Sequence, residues 1–269
     1  MTDTQPAISV RDVVVSYDGR RVLDRVNLDV HRGETMVLLG GSGSGKSTLL
    51  RQIIGLERPE SGQILINGVD LACCKPRELK RVRRSIGVAF QNSALFNSMS
   101  VEDNIALPLR EHTRLAESTI RLMTWMKLAV VGLADAGKLS PQALSGGMKK
   151  RAAVARALAL DPEVLVFDEP SAGLDPIVAA ELDELILGLK RAFSMTVVVV
   201  THEMASAFQI ADRMAMLYKG SLIAVGTKEE LQASTHPRIR QFLDRVPDEI
   251  ADSAGVDKHF QAYLAGSAM

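Results

Sequence analysis

A chain of 269 residues with 46% hydrophobic side chains is long enough for one large domain, or one domain with an inserted lobe, and apolar enough to fill its core. Lysine plus arginine and aspartate plus glutamate number 32 each, so no global field draws the chain to nucleic acid or to an anionic membrane, and recognition must be local. The two cysteines, Cys73 and Cys74, are neighbours that rarely reach disulfide geometry; with no signal-peptide pattern and no apolar run near bilayer length, they read as reduced thiols of a cytosolic protein.

In chain order, the runs ISVRDVVVSY and VLDRVNLDV within residues 7–30 flank DGR and predict antiparallel strands about a turn. TMVLLG predicts a buried strand, GGSGSGKST (40–48) a glycine-rich loop, and residues 46–54 a helix. SGQILING returns to β structure, and PRELKRVRRSIGVAFQ predicts a short basic helix leading into another strand. From Asn92 to Pro141 leucine, alanine and methionine at helical spacing replace the strand signal, with breaks predicted at Pro108 and Gly132, the pattern of an inserted helical lobe. EVLVFDEP and TVVVVTHE restore fully apolar strands around a helix over 176–192, as in a parallel sheet covered on both faces. RMAMLYKGSLIAVG predicts a closing hairpin, followed by helical turns to about Arg245 and a tail whose Phe260, Tyr263 and Leu264 are expected to pack on a partner subunit.

Gly40, Gly45, Lys46 and Ser47 fit G-x-x-x-x-G-K-[ST] between an apolar strand and a helix. Backbone amides of Gly40, Gly41, Ser42, Gly43, Ser44 and Gly45, with Thr48 closing the motif, are expected to curl around phosphates at the positive end of a helix. Lys46 would pair with the outer phosphates and Ser47 would ligate Mg²⁺. Asp168 and Glu169 end an apolar strand: Asp168 is expected to hold Mg²⁺ through water and Glu169 to polarise the attacking water, a solvated acidic pair being the alternative. His202 follows TVVVVT and so belongs beside the same site, whereas His31, His112, His236 and His259 read as surface residues. Gln91 ends the strand IGVAF, where a side chain can touch Mg²⁺ or water and sense nucleotide.

A second anion site appears at Ser145, Gly146 and Gly147, which lead into a helix. A plain cap with Met148, Ala152, Ala155 and Leu158 as its buried stripe accounts for the stripe but not for two glycines. Carried outward on a separate lobe, the cap would serve a second copy of the chain, two copies sandwiching two ATP molecules about a two-fold axis. The stretch KPRELKRVRR (75–84) holds six basic residues without interleaved aromatics and reads as a solvated helix face rather than a lipid-headgroup contact.

In this order the residues resemble the ATP-binding-cassette (ABC) ATPases over roughly residues 7–232: Walker A at 40–48, the Q-loop Gln91, the signature LSGGM at 144–148, Walker B at 164–169, the D-loop ending at Asp175, and the switch His202. The resemblance implies an α/β P-loop NTPase fold with a mostly parallel core sheet, an N-terminal antiparallel β subdomain and a helical subdomain inserted at about 92–160. The ATPase domain is expected over 7–245, with a tail at 246–269 expected to contact a partner subunit. The resemblance further implies that Tyr17 stacks on adenine, that the signature of one protomer closes on the γ-phosphate held by the other, that ATP and Mg²⁺ are bound, and that the lobe docks on a permease. Met148 stands where the family usually has glutamine, leaving the serine and glycine amides in place. Within the family, SALFNSMSVEDNIALPLREHT (93–113) and HPRIRQFLDR (236–245) are similar to the ATPase of the Mla phospholipid-transport system of Gram-negative bacteria. That similarity implies a homodimer on the cytoplasmic face of the inner membrane beneath a permease pair, with a STAS-domain protein and a periplasmic MCE lipid-binding protein in the same complex. A cassette ATPase for another transported substrate is the alternative. A soluble cassette acting on ribosomes or DNA is disfavoured by the single phosphate loop, the short lobe and the neutral charge balance.

Overall fold

The computed structural model describes residues 5–247. The expectations for His259 and for the tail beyond Pro247, including Phe260, Tyr263 and Leu264, lie outside the described residues. Strands β1 (Ile8–Tyr17) and β2 (Arg20–Val30) form the antiparallel pair expected, joined through Asp18 and Gly19. Both turn residues have positive φ, the geometry whose twist matches that of flanking strands. Next come β3 (Thr35–Leu39), α1 (Lys46–Ile53), β4 (Ser61–Ile66), the two-residue β5 (Val69–Asp70), α2 (Pro76–Arg84) and β6 (Ile86–Ala89). Helices α3 (Val101–His112), α4 (Glu117–Val130) and α5 (Gly146–Ala157) pack on one another. The order then runs β7 (Val164–Asp168), α6 (Pro176–Phe193), β8 (Thr196–Val200), α7 (Met204–Ile210), β9 (Arg213–Tyr218), β10 (Ser221–Thr227) and α8 (Lys228–Gln232). The last, α9 (Pro237–Leu243), belongs to a second unit that starts at Thr235, the first unit ending at Ser234.

Two sheets carry the first unit. One is antiparallel, in the order β2-β1-β4-β5; the other runs β10-β9-β3-β8-β7-β6, with β9, β3, β8, β7 and β6 parallel and β10 antiparallel at the edge. Every residue of β3 and β8 is buried, which is why both read as unbroken apolar runs rather than alternating ones. Helix α1 lies between the sheets: Leu50 and Ile53 join Ile8, Leu23, Ile64 and Val198 in one apolar cluster. Each such fully buried side chain contributes about 1.5–3 kcal/mol.

The break expected at Pro108 does not occur. The proline lies inside α3, where it removes one ladder bond near the helix end, while Val101, Ile105 and Leu109 hold the helix by burial and Ser100 caps it through Asp103 N. The break at Gly132 does occur: α4 stops at Val130 and Gly132 follows at φ 73°.

Candidate nucleotide site

Strands β3, β8, β7 and β6 are consecutive and parallel, so their carboxyl ends lie on one edge. That edge gathers the loop 40–45 after β3, Thr201 and His202 after β8, Asp168 and Glu169 at the end of β7, and Gln91 two residues beyond β6. Open α/β sheets bind ligands at this edge. In the loop, Gly40 sits at φ 150° and a Cβ there would lie 2.4 Å from the Leu217 carbonyl oxygen, so only glycine permits the tight curl. Helix α1 starts from Gly45 with no side-chain cap, leaving its first amides for an anion. Ser44 Oγ is buried without a partner. Lys46 Nζ donates to the carbonyls of Gly40 at 2.7 Å and Gly41 at 3.0 Å. Burial pushes its ammonium pKa down, and the Glu169 and Asp168 carboxylates oppose that shift. An orphaned hydroxyl, uncapped amides and a buried ammonium together fit a polyphosphate.

Glu169 adopts φ 48°, the left-handed region, although it precedes Pro170. Its N–H donates to Val200 O at 2.8 Å, across to β8. Its carboxylate accepts from Thr201 Oγ1 at 3.3 Å and His202 N at 3.4 Å, and both its oxygens lie 2.9 Å from His202 Nδ1. The Glu169 side chain is 13% exposed and the imidazole 64%, so the carboxylate is sheltered and the ring reaches outward. Burial pushes the Asp168 carboxyl up, the Glu169 charge adding to it and Arg51, Lys150 and Lys46 opposing. Ser47 hydroxyl, Gln91 amide oxygen and Asp168 carboxylate are hard oxygen donors of the kind Mg²⁺ takes. Among the described residues no group of three or more His, Cys, Asp or Glu is arranged to hold a metal ion by itself, so such a cation would draw its remaining ligands from phosphate and water.

Gln91 is exposed, and β6 ends at Ala89, two residues short of the expected strand end. Tyr17 closes β1, is 40% exposed and donates its hydroxyl hydrogen to Glu57. His31, His112 and His236 are exposed, as expected, and the α2 side chains Arg77, Lys80, Arg81 and Arg84 form a solvated face. Ser145 is the N-cap of α5, its Oγ accepting from Met148 N at 3.3 Å, and Ser145 and Gly146 are exposed. The second glycine has a packing reason that the sequence did not reveal: a Cβ on Gly147 would lie 2.6 Å from Val178 Cγ1 of α6. Asp175 caps α6, accepting from Ile177 N and Val178 N, so the two capped helix starts lie side by side. The stripe Ala152, Ala155 and Leu158 is buried and Met148 half-buried. Thr201 and Lys150 were missed. Lys150 is buried on α5 and donates to Gln91 O at 2.7 Å and Glu169 O at 3.1 Å. Alanines at 152, 153, 155 and 157, not confined to one face of α5, were the available sign that this helix is buried on more than one side.

Residues 23–172 match the ABC transporter family. Over 238 residues the chain is 46% identical to the probable ribonucleotide transport ATP-binding protein mkl of Mycobacterium leprae, covering 88% of this chain and 69% of that protein. It spans about two thirds of the length of the other mycobacterial mkl proteins as well. It is 43% identical over 241 residues to the intermembrane phospholipid transport system ATP-binding protein MlaF of Escherichia coli strain K12, covering 90% of each. Among solved structures it is similar to the dimeric post-hydrolysis state of the ATP-binding cassette MJ0796 bound to ADP and Pi, with a TM-score of 0.76, 31% identity, and coverage of 82% of this chain and 98% of that one.

Proposed function

The chain belongs to the ABC transporter family and is an ATPase, and on that premise we propose that it powers phospholipid transport between the bacterial inner and outer membranes through a partner permease. One observation supports the lipid reading: the likeness to MlaF, at 43% identity, runs over 90% of both chains. Cassettes of this family dimerise and pair with transmembrane permeases. In the proposed complex a homodimer of the chain lies on the cytoplasmic face of the inner membrane, under a permease pair, with a STAS-domain protein and a periplasmic MCE lipid-binding protein. No described helix is long and apolar enough to cross a membrane, so the permease supplies the spans.

In this reading the phosphates of ATP lie in the loop of Gly40, Gly41, Ser42, Gly43, Ser44 and Gly45, with Ser47 and Thr48 opening the helix, and Tyr17 stacks on adenine. Lys46 exchanges its carbonyl contacts for the outer phosphates, a charge-assisted pairing stronger than the one it gives up. Glu169 takes a proton from the water whose oxygen attacks the γ-phosphorus; the bond to the β–γ bridging oxygen breaks and ADP leaves with its electron pair. His202, 2.9 Å from that carboxylate, holds it in aim. Ser47, Gln91 and Asp168 would hold Mg²⁺, which would supply charge neutralisation on the phosphates. Ser145, Gly146 and Gly147, beside the Asp175 turn of their own protomer, face the nucleotide of the second protomer.

A different transported substrate is the second reading, favoured by the 46% identity to a protein named for ribonucleotide transport. Gentle detergent extraction of the tagged full-length protein, with mass spectrometry of co-purifying polypeptides and lipids, separates the two. A multispan permease with an MCE protein and enriched phospholipid is expected. A permease enriched in another solute would replace the lipid assignment, and ribosomal proteins or nucleic acid without a permease would remove transport altogether.

A further inference from the structure

Lys150 is 9% exposed, yet it carries an ammonium group into the protein. Burial lowers its pKa, and the nearby Asp168 and Glu169 carboxylates favour the charged form. A buried lysine is costly unless its donors are used. Here they are used on two backbone carbonyls, Gln91 O at 2.7 Å and Glu169 O at 3.1 Å, which lie just beyond the ends of the adjacent strands β6 and β7. Three segments thus converge on one nitrogen: the segment after β6 that carries Gln91, the residue whose carboxylate faces His202, and helix α5, which starts five residues upstream at the Ser145 cap.

The Glu169 contact is the more informative. Its backbone is left-handed and precedes a proline, a conformation that persists only where the surroundings impose it. The imposition has two sides. Glu169 N–H is tied to Val200 O of β8, and Glu169 C=O is tied to Lys150 of α5. With both ends of the residue pinned, the carboxylate is directed at Thr201 and His202. If Lys150 moves, one of the two pins is lost.

We propose that Lys150 is a positioning residue for ATP hydrolysis: through its two carbonyl contacts it holds Glu169 and Gln91 in register with the helix that begins at Ser145, Gly146 and Gly147. Contact at that helix start is thereby transmitted to the aim of the Glu169 carboxylate. The proposal rests on the assignment of Glu169 as general base made above. It differs from simple core filling, because a residue that only fills space affects folding and nucleotide binding together, whereas one that aims a base affects turnover alone.

The test compares full-length wild type, Lys150→Met, Lys150→Gln and Glu169→Gln, measuring kcat and KM for ATP with Mg²⁺ and the affinity for a fluorescent ATP analogue. Methionine keeps the length and apolar stem of lysine but has no donor. The expected result for Lys150→Met is a kcat lowered about a hundredfold, the scale of a misplaced catalytic group, with KM and analogue affinity unchanged. Lys150→Gln, uncharged and one bond shorter but still an amide donor, must show the same split at a smaller size and decides the matter if the methionine variant does not fold. Wild-type kcat, or kcat and affinity falling together, overturns the proposal. If Glu169→Gln hydrolyses ATP normally, the base assignment falls and Lys150 falls with it; if Glu169→Gln is inactive while the Lys150 variants are not slowed, only the Lys150 assignment falls.

Discussion

At the scale of single residues, the site depends on charges placed where water is scarce. Lys46 is buried among its own loop carbonyls and Asp168 is half-buried beside Glu169, and desolvation pushes the lysine pKa down and the carboxyl pKa up because it disfavours the charged forms. A polyphosphate with a cation satisfies both at once, which is the physical sense of placing them on one sheet edge. Glu169→Gln keeps the shape of the side chain and removes its basicity. Turnover is expected to fall at least about a hundredfold while ATP binding persists, as read by phosphate release and by equilibrium binding in parallel. Undiminished phosphate release would remove Glu169 from the base role. The glycines, Lys46, Asp168, Glu169 and His202 were legible in the sequence because each sits in a local pattern with a local reason. Lys150 was not, because its partners are 59 and 19 residues away.

At the scale of elements, the starts of α5 and α6 and the contact between α6 and α7 decide how the site is held. A Cβ on Gly147 meets the stiff Val178 side chain at 2.6 Å, whereas one on Gly146 meets only Leu174 Cδ2, at 3.5 Å. Gly147→Ala is therefore expected to cost about 1–3 kcal/mol of stability and Gly146→Ala less than about 0.5 kcal/mol, compared by urea unfolding. Equal costs would show that α5 does not press on α6 as described. Asp183 of α6 is buried against Ser206 of α7, with one carboxylate oxygen unpartnered, and burial pushes its pKa up to about 6. Because the folded value lies above the ordinary carboxylate range, the native state keeps this proton longer than the unfolded chain. Its stabilising effect is full below that range and is lost as pH rises through about 6. Asp183→Asn cannot ionise, so its Tm should gain on that of the wild type between pH 5 and pH 7.5; parallel Tm curves would contradict the assignment.

At the scale of the whole molecule, two helix starts among the described residues bear on the site, α1 after the phosphate loop and α5 capped by Ser145, and of these α1 lies on the sheet edge with Lys46, Asp168 and Glu169. If α5 serves a second copy, mixed dimers discriminate. Lys46→Ala on one protomer and Ser145→Arg on its partner place both lesions in one composite site and leave the other whole, whereas both changes on one protomer damage both sites. Higher ATPase activity in the first arrangement is expected, and equal activity in the two would mean that nucleotide is held within a single chain. The sequence by itself determined the phosphate loop, the acidic strand end, the capped α5 helix and the alternation that makes an α/β fold, since each is written in the conformational chemistry of a few adjacent residues. Only the tertiary structure decided that β3, β8, β7 and β6 stand side by side, that α3 runs through Pro108, that Gly147 answers to Val178, and that Lys150 joins Gln91 to Glu169. These depend on which distant segments meet, and burial of apolar faces settles that for the chain as a whole.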